Sequence, residues 1–140
     1  VNYLLDTNVI SEWVKPKPRA SVIEWLHEAD DDRLFLSVVS IAEIRHGIEQ
    51  LPSSRRKSQL ITWLDIDLMV RFEGRIIDIT RDIADNWGVC MGKSRKAGRA
   101  LEPMDAFFAA TAVSRQLVLV TRNTADFGHL DIGLHNPWND

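Results

Sequence analysis

The chain has 140 residues, the length of one compact domain, with 45% hydrophobic and 26% charged residues, which excludes wholesale disorder. A single cysteine, Cys90, excludes a disulfide framework and suits a reducing cytoplasm, and the net charge of −3 excludes a global basic field for nucleic acid. No apolar run reaches the roughly 18 residues of a membrane span, and the first 20 residues lack a signal-peptide pattern.

Tyr3-Leu4-Leu5 is a short apolar run closed by Asp6-Thr7-Asn8, which predicts a buried strand running straight into a helix over Val9 to Trp13. Pro16 and Pro18 stop that helix. Ser21 to Ala29 carries Val22, Trp25, Leu26 and Ala29 at helical spacing, and Leu34 to Val38 reads as a second strand. Ile41 to Leu51 is a predicted helix closed by Pro52, and Ser54 to Phe72 a longer amphipathic one, broken by Gly74. Ile76 to Ile79 is a third short strand, followed by a helix from Thr80 to about Lys96. Pro103 suits the first turn of a helix running to Arg115. Leu117 to Val120 is a fourth strand, Thr121 to Gly128 a loop, and Ile132 to His135 a short last strand.

Strands that are apolar throughout and separated by helices indicate an α/β sandwich in which helices cover both faces of a mainly parallel sheet. Strand C-termini and helix N-termini then share one edge, the usual place for a ligand site. Four acids belong to that edge: Asp6 after strand one, Glu43 in the first turn of the next strand's helix, Asp105 two residues after Pro103, and Asp126 after strand four. Each has an ordinary explanation alone. Asp6 could cap a helix, Ser40-Ile41-Ala42-Glu43 matches a capping box, Asp105 could answer a helix dipole, and Asp126 could hold a turn. Together they would repel one another unless a cation compensates, and a hard divalent ion with oxygen ligands, Mg²⁺ or Mn²⁺, is the natural one.

The motifs LLDTNVISE (4–12), SVVSIAEIRHGI (37–48), PMDAFFAATA (103–112) and LVTRNTADF (119–127) resemble PIN-domain ribonucleases. Within that family they are most similar to the VapC toxins of bacterial toxin–antitoxin pairs, and the terminal NPW (136–138) to the FitB-like branch. The resemblance covers nearly the whole chain as one PIN domain (1–140), a three-layer sandwich with a short, mainly parallel central sheet. It implies Mg²⁺-dependent hydrolysis of RNA, with Mn²⁺ able to substitute, through metal-binding acids at Asp6, Asp105 and Glu43. The fourth acidic position falls to Asp126 or to the place held by Asn123, while Thr7 and Thr121 would assist the site and Asn8 anchor its turn. Basic residues Lys93, Arg95, Lys96, Arg99 and Arg122 are the candidates to hold RNA by its phosphates. The resemblance also implies a homodimer and a VapB- or FitA-like antitoxin, with promoter DNA bound only through that antitoxin, in the cytoplasm and away from membranes.

Two other classes share such an edge of acids. A receiver or haloacid-dehalogenase-like phosphatase accepts phosphoryl groups, but the latter favours Asp-x-Asp where this chain has Asp6-Thr7-Asn8, and a receiver needs a lysine where Thr121-Arg122 stands. A catalytically silent PIN-fold subunit is the other, and the retention of Asp6, Glu43 and Asp105 speaks against it. Trp13, Trp25, Trp63 and Trp87 fall on apolar helical faces, which predicts core packing, with a groove for an antitoxin or second subunit as the sharper alternative. Cys90 reads as an inert, partly buried thiol and His46 as a surface residue.

Overall fold

The computed structural model describes residues 1–140 as a five-stranded sheet in the order β3-β2-β1-β4-β5, with every neighbouring pair parallel. The strands are β1 (Tyr3–Leu5), β2 (Leu34–Ser37), β3 (Ile76–Ile77), β4 (Val118–Val120) and β5 (Leu134–His135). β1 is central, with Tyr3 facing Leu34 on one side and Val118 on the other. Its side chains alternate between faces, and both faces are dry. Leu5 joins a core with Val22, Leu26, Leu36, Ile44, Leu64 and Phe72, whereas Leu4 joins a second core with Cys90, Ala106, Phe108 and Leu119. That is the expected three-layer arrangement.

The helices are α1 (Thr7–Ile10), α2 (Ala20–Glu28), α3 (Val38–Glu49), α4 (Arg55–Thr62), α5 (Leu68–Arg71), α6 (Arg81–Lys96), α7 (Pro103–Arg115) and α8 (Thr124–Phe127). α6 and α7 form an antiparallel hairpin over the second core. Arg115 ties its far end to Asp82 at 2.6 Å, and Asn86 donates to the Ser114 hydroxyl at 2.6 Å. α7 is rich in alanine, so its backbone lies close to the sheet, and Gln116 ends it in a left-handed turn with φ 55°.

Several expected elements are revised. The first helix starts at Thr7 and tightens into a 3₁₀ turn over Ser11–Val14, because Pro16 and Pro18 block continuation. The second strand stops at Ser37, and the helix expected from Ile41 already starts at Val38. Ser37 is the last strand residue and also the cap, its hydroxyl accepting the Val39 amide at 3.0 Å. The capping box at Ser40–Glu43 is therefore not one, and Glu43 stands in the second turn. The long helix expected over Ser54 to Phe72 is α4 and α5 joined by a π-helical turn, Trp63–Asp67. The third and last strands are shorter than predicted, and the loop after β4 contains α8. No helix is long and apolar enough to cross a membrane.

Candidate active site

Asp6 follows β1 at the sheet's C-terminal edge and is 5% exposed. It occupies the N-cap position of α1, yet its side chain makes no capping bond. Its carboxylate instead accepts the Thr121 hydroxyl at 2.8 Å, across the β1–β4 pair. Thr121 in turn accepts the Asn123 amide at 3.1 Å and, at the limit of bonding distance, the Asn8 side-chain amide at 3.5 Å. Asn8 also accepts the Arg122 amide at 3.4 Å. Thr121 and Asn8 thus stitch β4 to the first turn of α1 and fix the rotamer of Asp6. Burial raises the Asp6 pKa above the usual carboxylate range, against the Thr121 hydroxyl and the amides of Thr7 and Asn8, and the charge of Glu43 adds to the rise.

Glu43 enters from α3. The Thr7 hydroxyl donates to its Oε1 at 2.6 Å and lies 2.9 Å from the Ser40 hydroxyl. A hydroxyl has one proton, so with Thr7 donating to Glu43, Ser40 must donate to Thr7. This relay of Ser40, Thr7 and Glu43 sets the direction of the carboxylate. Ser40 was not among the sequence candidates, since in the sequence it looked like a helix cap. Replacing Thr7 by Val keeps the shape and removes the donor. For the RNA hydrolysis that the sequence motifs imply, cleavage is expected to fall about tenfold, the scale of a hydrogen bond to a charged group, while the melting temperature moves by no more than ~4 °C. Unchanged cleavage would show that Glu43 needs no orientation.

Asp105 is the third residue of α7. Its pKa is pushed up to about 6, first by burial and then by the charges of Asp6, Glu43, Asp126 and Glu102. This is the electrostatic signature of one shared site: acids after β1, on α3, just before α7 and on α8 all raise the same carboxyl. Asp126 is exposed on α8 but near enough to contribute, whereas Asn123 precedes that helix and its link to the site is the amide bond to Thr121. No group of three His, Cys, Asp or Glu side chains is placed to hold a metal ion together. An open set of oxygen donors carrying uncompensated charge still fits Mg²⁺ or Mn²⁺, which take one or two carboxylates and keep several waters.

The basic residues divide. Lys93, Arg95 and Lys96 lie in the last turn of α6, not in a loop, and Arg99 follows it; all four are exposed. Arg99 donates to the Ala125 carbonyl at 3.1 Å, which places it beside Asp126. Arg122 adjoins Thr121, with its guanidinium 5.6 Å from the centre of the Trp138 ring. A second basic run, Arg55-Arg56-Lys57, makes structural bonds: Arg56 donates to the Val14 carbonyl and Lys57 to the Leu51 carbonyl.

Glu12 had no assigned role in the sequence. It is 2% exposed, accepts the Arg19 amide at 2.8 Å and pairs with Lys15. Burial pulls its pKa up, but Lys15, the Arg19 amide and Arg122 outweigh burial and hold it below the usual range. It anchors the turn after α1. His46 is exposed, 3.3 Å from Gln50. Cys90 is buried, and burial raises its thiol pKa. The tryptophans are half-buried rather than enclosed. Trp13 and Trp63 line a cavity of about 560 Å³ with Leu68 and Val70, and Trp63 also lines one of about 240 Å³ that opens on Thr7 and Glu43.

The PIN domain family matches residues 3–132. Plasmid stability protein StbB of Pseudomonas syringae pv. tomato is 36% identical over 135 residues, 96% of this chain and 97% of that protein. Toxin FitB of Neisseria gonorrhoeae is 33% identical over 137 residues, 98% and 99% of the two chains. VapC ribonuclease Y4jK of Sinorhizobium fredii is 30% identical over 135 residues, 96% of each. The structure of FitAB bound to an IR36 DNA fragment matches with a TM-score of 0.92 at 31% identity, over 97% of this chain and 95% of that one. Extent, fold and relatives agree: the chain belongs to the PIN-domain family, in the group of the FitB toxin and VapC ribonucleases.

Proposed function

We propose that the chain is the toxin of a FitAB- or VapBC-type toxin–antitoxin pair and a Mg²⁺-dependent endoribonuclease. The observation that carries this reading is Asp105, driven to about 6 by burial and by acids converging from other elements. Such a concentration of negative charge repels a phosphate backbone until a cation enters, so it fits a metal-dependent nuclease better than a plain binding surface. The names of the FitB toxin and the VapC ribonuclease support the same activity.

Asp6, Asp105 and Glu43 would hold the ion, with Asp126 at the rim. Bound there, Mg²⁺ or Mn²⁺ would polarise the phosphodiester and activate a water. Thr121 and the turn at Asn8 keep Asp6 in one rotamer, and the Ser40–Thr7 relay does the same for Glu43. Arg99 and Arg122 flank the acids and hold substrate phosphates, with Lys93, Arg95 and Lys96 extending the track along α6. In the reaction, the water oxygen bonds to phosphorus as the bond to the 3′ oxygen breaks, leaving a 3′-hydroxyl and a 5′-phosphate.

The partner is a FitA- or VapB-like antitoxin, which a homodimer of this chain would bind and through which it would meet promoter DNA. The two cavities that share Trp63, the smaller of which opens on Glu43, suit an amphipathic segment of that antitoxin, with a basic side chain reaching the acids.

Purified protein incubated with RNA is expected to cut it with Mg²⁺ or Mn²⁺ and to stop in excess EDTA. Cleavage that persists in EDTA overturns the metal mechanism, and no cleavage with either ion overturns the nuclease reading. Growth arrest on expression, relieved by the neighbouring open reading frame and absent in Asp6→Ala, tests the partner. Replacing Arg99 and Arg122 together by Ala is expected to reduce the slope of log affinity against log salt by about 1.4 for single-stranded RNA, two phosphate contacts' worth. An unchanged slope removes both from the RNA track.

A further inference from the structure

The first turn of α7 carries Asp105 but has no side-chain cap: Glu102 occupies the N-cap position and makes no capping bond. An uncapped helix start frays, since its first amides lack partners. A misplaced Asp105 would spoil the acid site, so something else must hold this turn. Trp87, on α6, touches it at two points. Its indole N–H donates to the Pro103 carbonyl at 2.9 Å, and its ring stacks on Phe107 with centroids 5.5 Å apart and planes at 27°. Asp105 lies midway between these two contacts in sequence. The carbonyl has a second lone pair, so the helix can keep its own hydrogen bond there. Pro103 adds a fixed φ at the same turn.

We propose that Trp87 is a positioning residue for the acid site, clamping from α6 the uncapped turn of α7 that presents Asp105. The proposal rests on the nuclease reading above and goes beyond it. Packing alone would not require an indole, because phenylalanine offers the same stacking without the N–H. The donor therefore separates a clamp from a filler of the hairpin.

Trp87→Phe keeps the ring contact and removes the donor. Asn86→Ala is the control, since it cuts the neighbouring bond to Ser114, at the other end of the hairpin from Asp105. Amide hydrogen exchange at Ala106 and Phe107, the first bonded amides of α7, measured on the full chain without metal, is expected to quicken roughly fivefold in Trp87→Phe, the worth of one neutral hydrogen bond. Mn²⁺ binding by calorimetry is expected to weaken roughly fivefold and kcat to fall by a similar factor, with KM for RNA unchanged. Asn86→Ala is expected to leave exchange at Ala106 and Phe107, Mn²⁺ binding and kcat as in the wild type. Phe107→Leu, which keeps the donor and thins the stack, is expected to fall between wild type and Trp87→Phe in all three. Unchanged exchange or unchanged Mn²⁺ binding in Trp87→Phe overturns the clamp, as does Asn86→Ala matching it. A wild-type chain that neither binds Mn²⁺ nor cuts RNA defeats the nuclease reading itself, and with it the purpose of the clamp.

Discussion

Asp105→Asn is expected to lower RNA cleavage by about 10³-fold or more, the scale of losing a group that supports charge in the transition state, while making the metal-free protein more stable at neutral pH. The sign of the second effect follows from linkage. The folded carboxyl titrates near 6, above its ordinary value of 3.8, so between those values the folded state binds more protons than the unfolded one. Stability therefore falls as pH rises through that window, and above it the full penalty is present. Asn carries no charge and removes the penalty. After discounting for partial exposure the gain is about 1 kcal/mol, or ~3 °C in melting temperature. Thermal melts in EDTA from pH 4 to 7.5 check it: the difference between wild type and variant is expected to widen as pH rises. Saturating Mg²⁺ is expected to raise the wild-type melting temperature and leave Asp105→Asn unmoved. A variant no more stable than wild type at pH 7 would mean that the four neighbouring acids do not crowd Asp105.

Phe108→Ala is expected to act in the opposite sense, three residues along the same helix. Phe108 is fully buried in the core with Leu4, Leu119 and Phe127. Truncating it removes transfer energy and leaves a cavity, a loss of roughly 3–5 kcal/mol and about 10–15 °C in melting temperature. Denaturant unfolding gives the free energy directly. A loss below about 1 kcal/mol would show that α7 is not anchored on the sheet through this ring. One face of α7 thus stabilises the molecule while its first turn destabilises it for the sake of the site. Activity at the expense of stability is the common arrangement in enzymes.

How much of this was legible in the sequence depended on whether local signals agreed with tertiary ones. α7 was predicted at its observed bounds, because Pro103 and the apolar run up to Arg115 punctuate it. The strand order could not be read, yet the sharing of one edge by Asp6, Asp105, Glu43 and Asp126 could, since a parallel sheet enforces it. The misplaced helix start at Ser40 shows the limit. A strand that becomes a helix with no loop leaves no gap in the apolar pattern, so Ser37 as cap was hidden and Ser40 looked like one. The π turn at Trp63–Asp67 and α8 are set by packing between elements rather than by local preference. The clamp by Trp87 was likewise invisible, because helical spacing places its ring on an apolar face but does not show where its N–H goes.

The position of β1 has a consequence in time. Among the strands of residues 1–140 it comes first, yet its hydrogen-bonded neighbour on one side is β4, more than 110 residues later, and the Thr121 that orients Asp6 comes just after. A nascent chain therefore cannot assemble the acid site until β4 and Thr121 have been made, whatever its early helices do. A chain that stops before β4 lacks both the β1–β4 pairing and the hydroxyl that sets the Asp6 rotamer, so its acid site is incomplete.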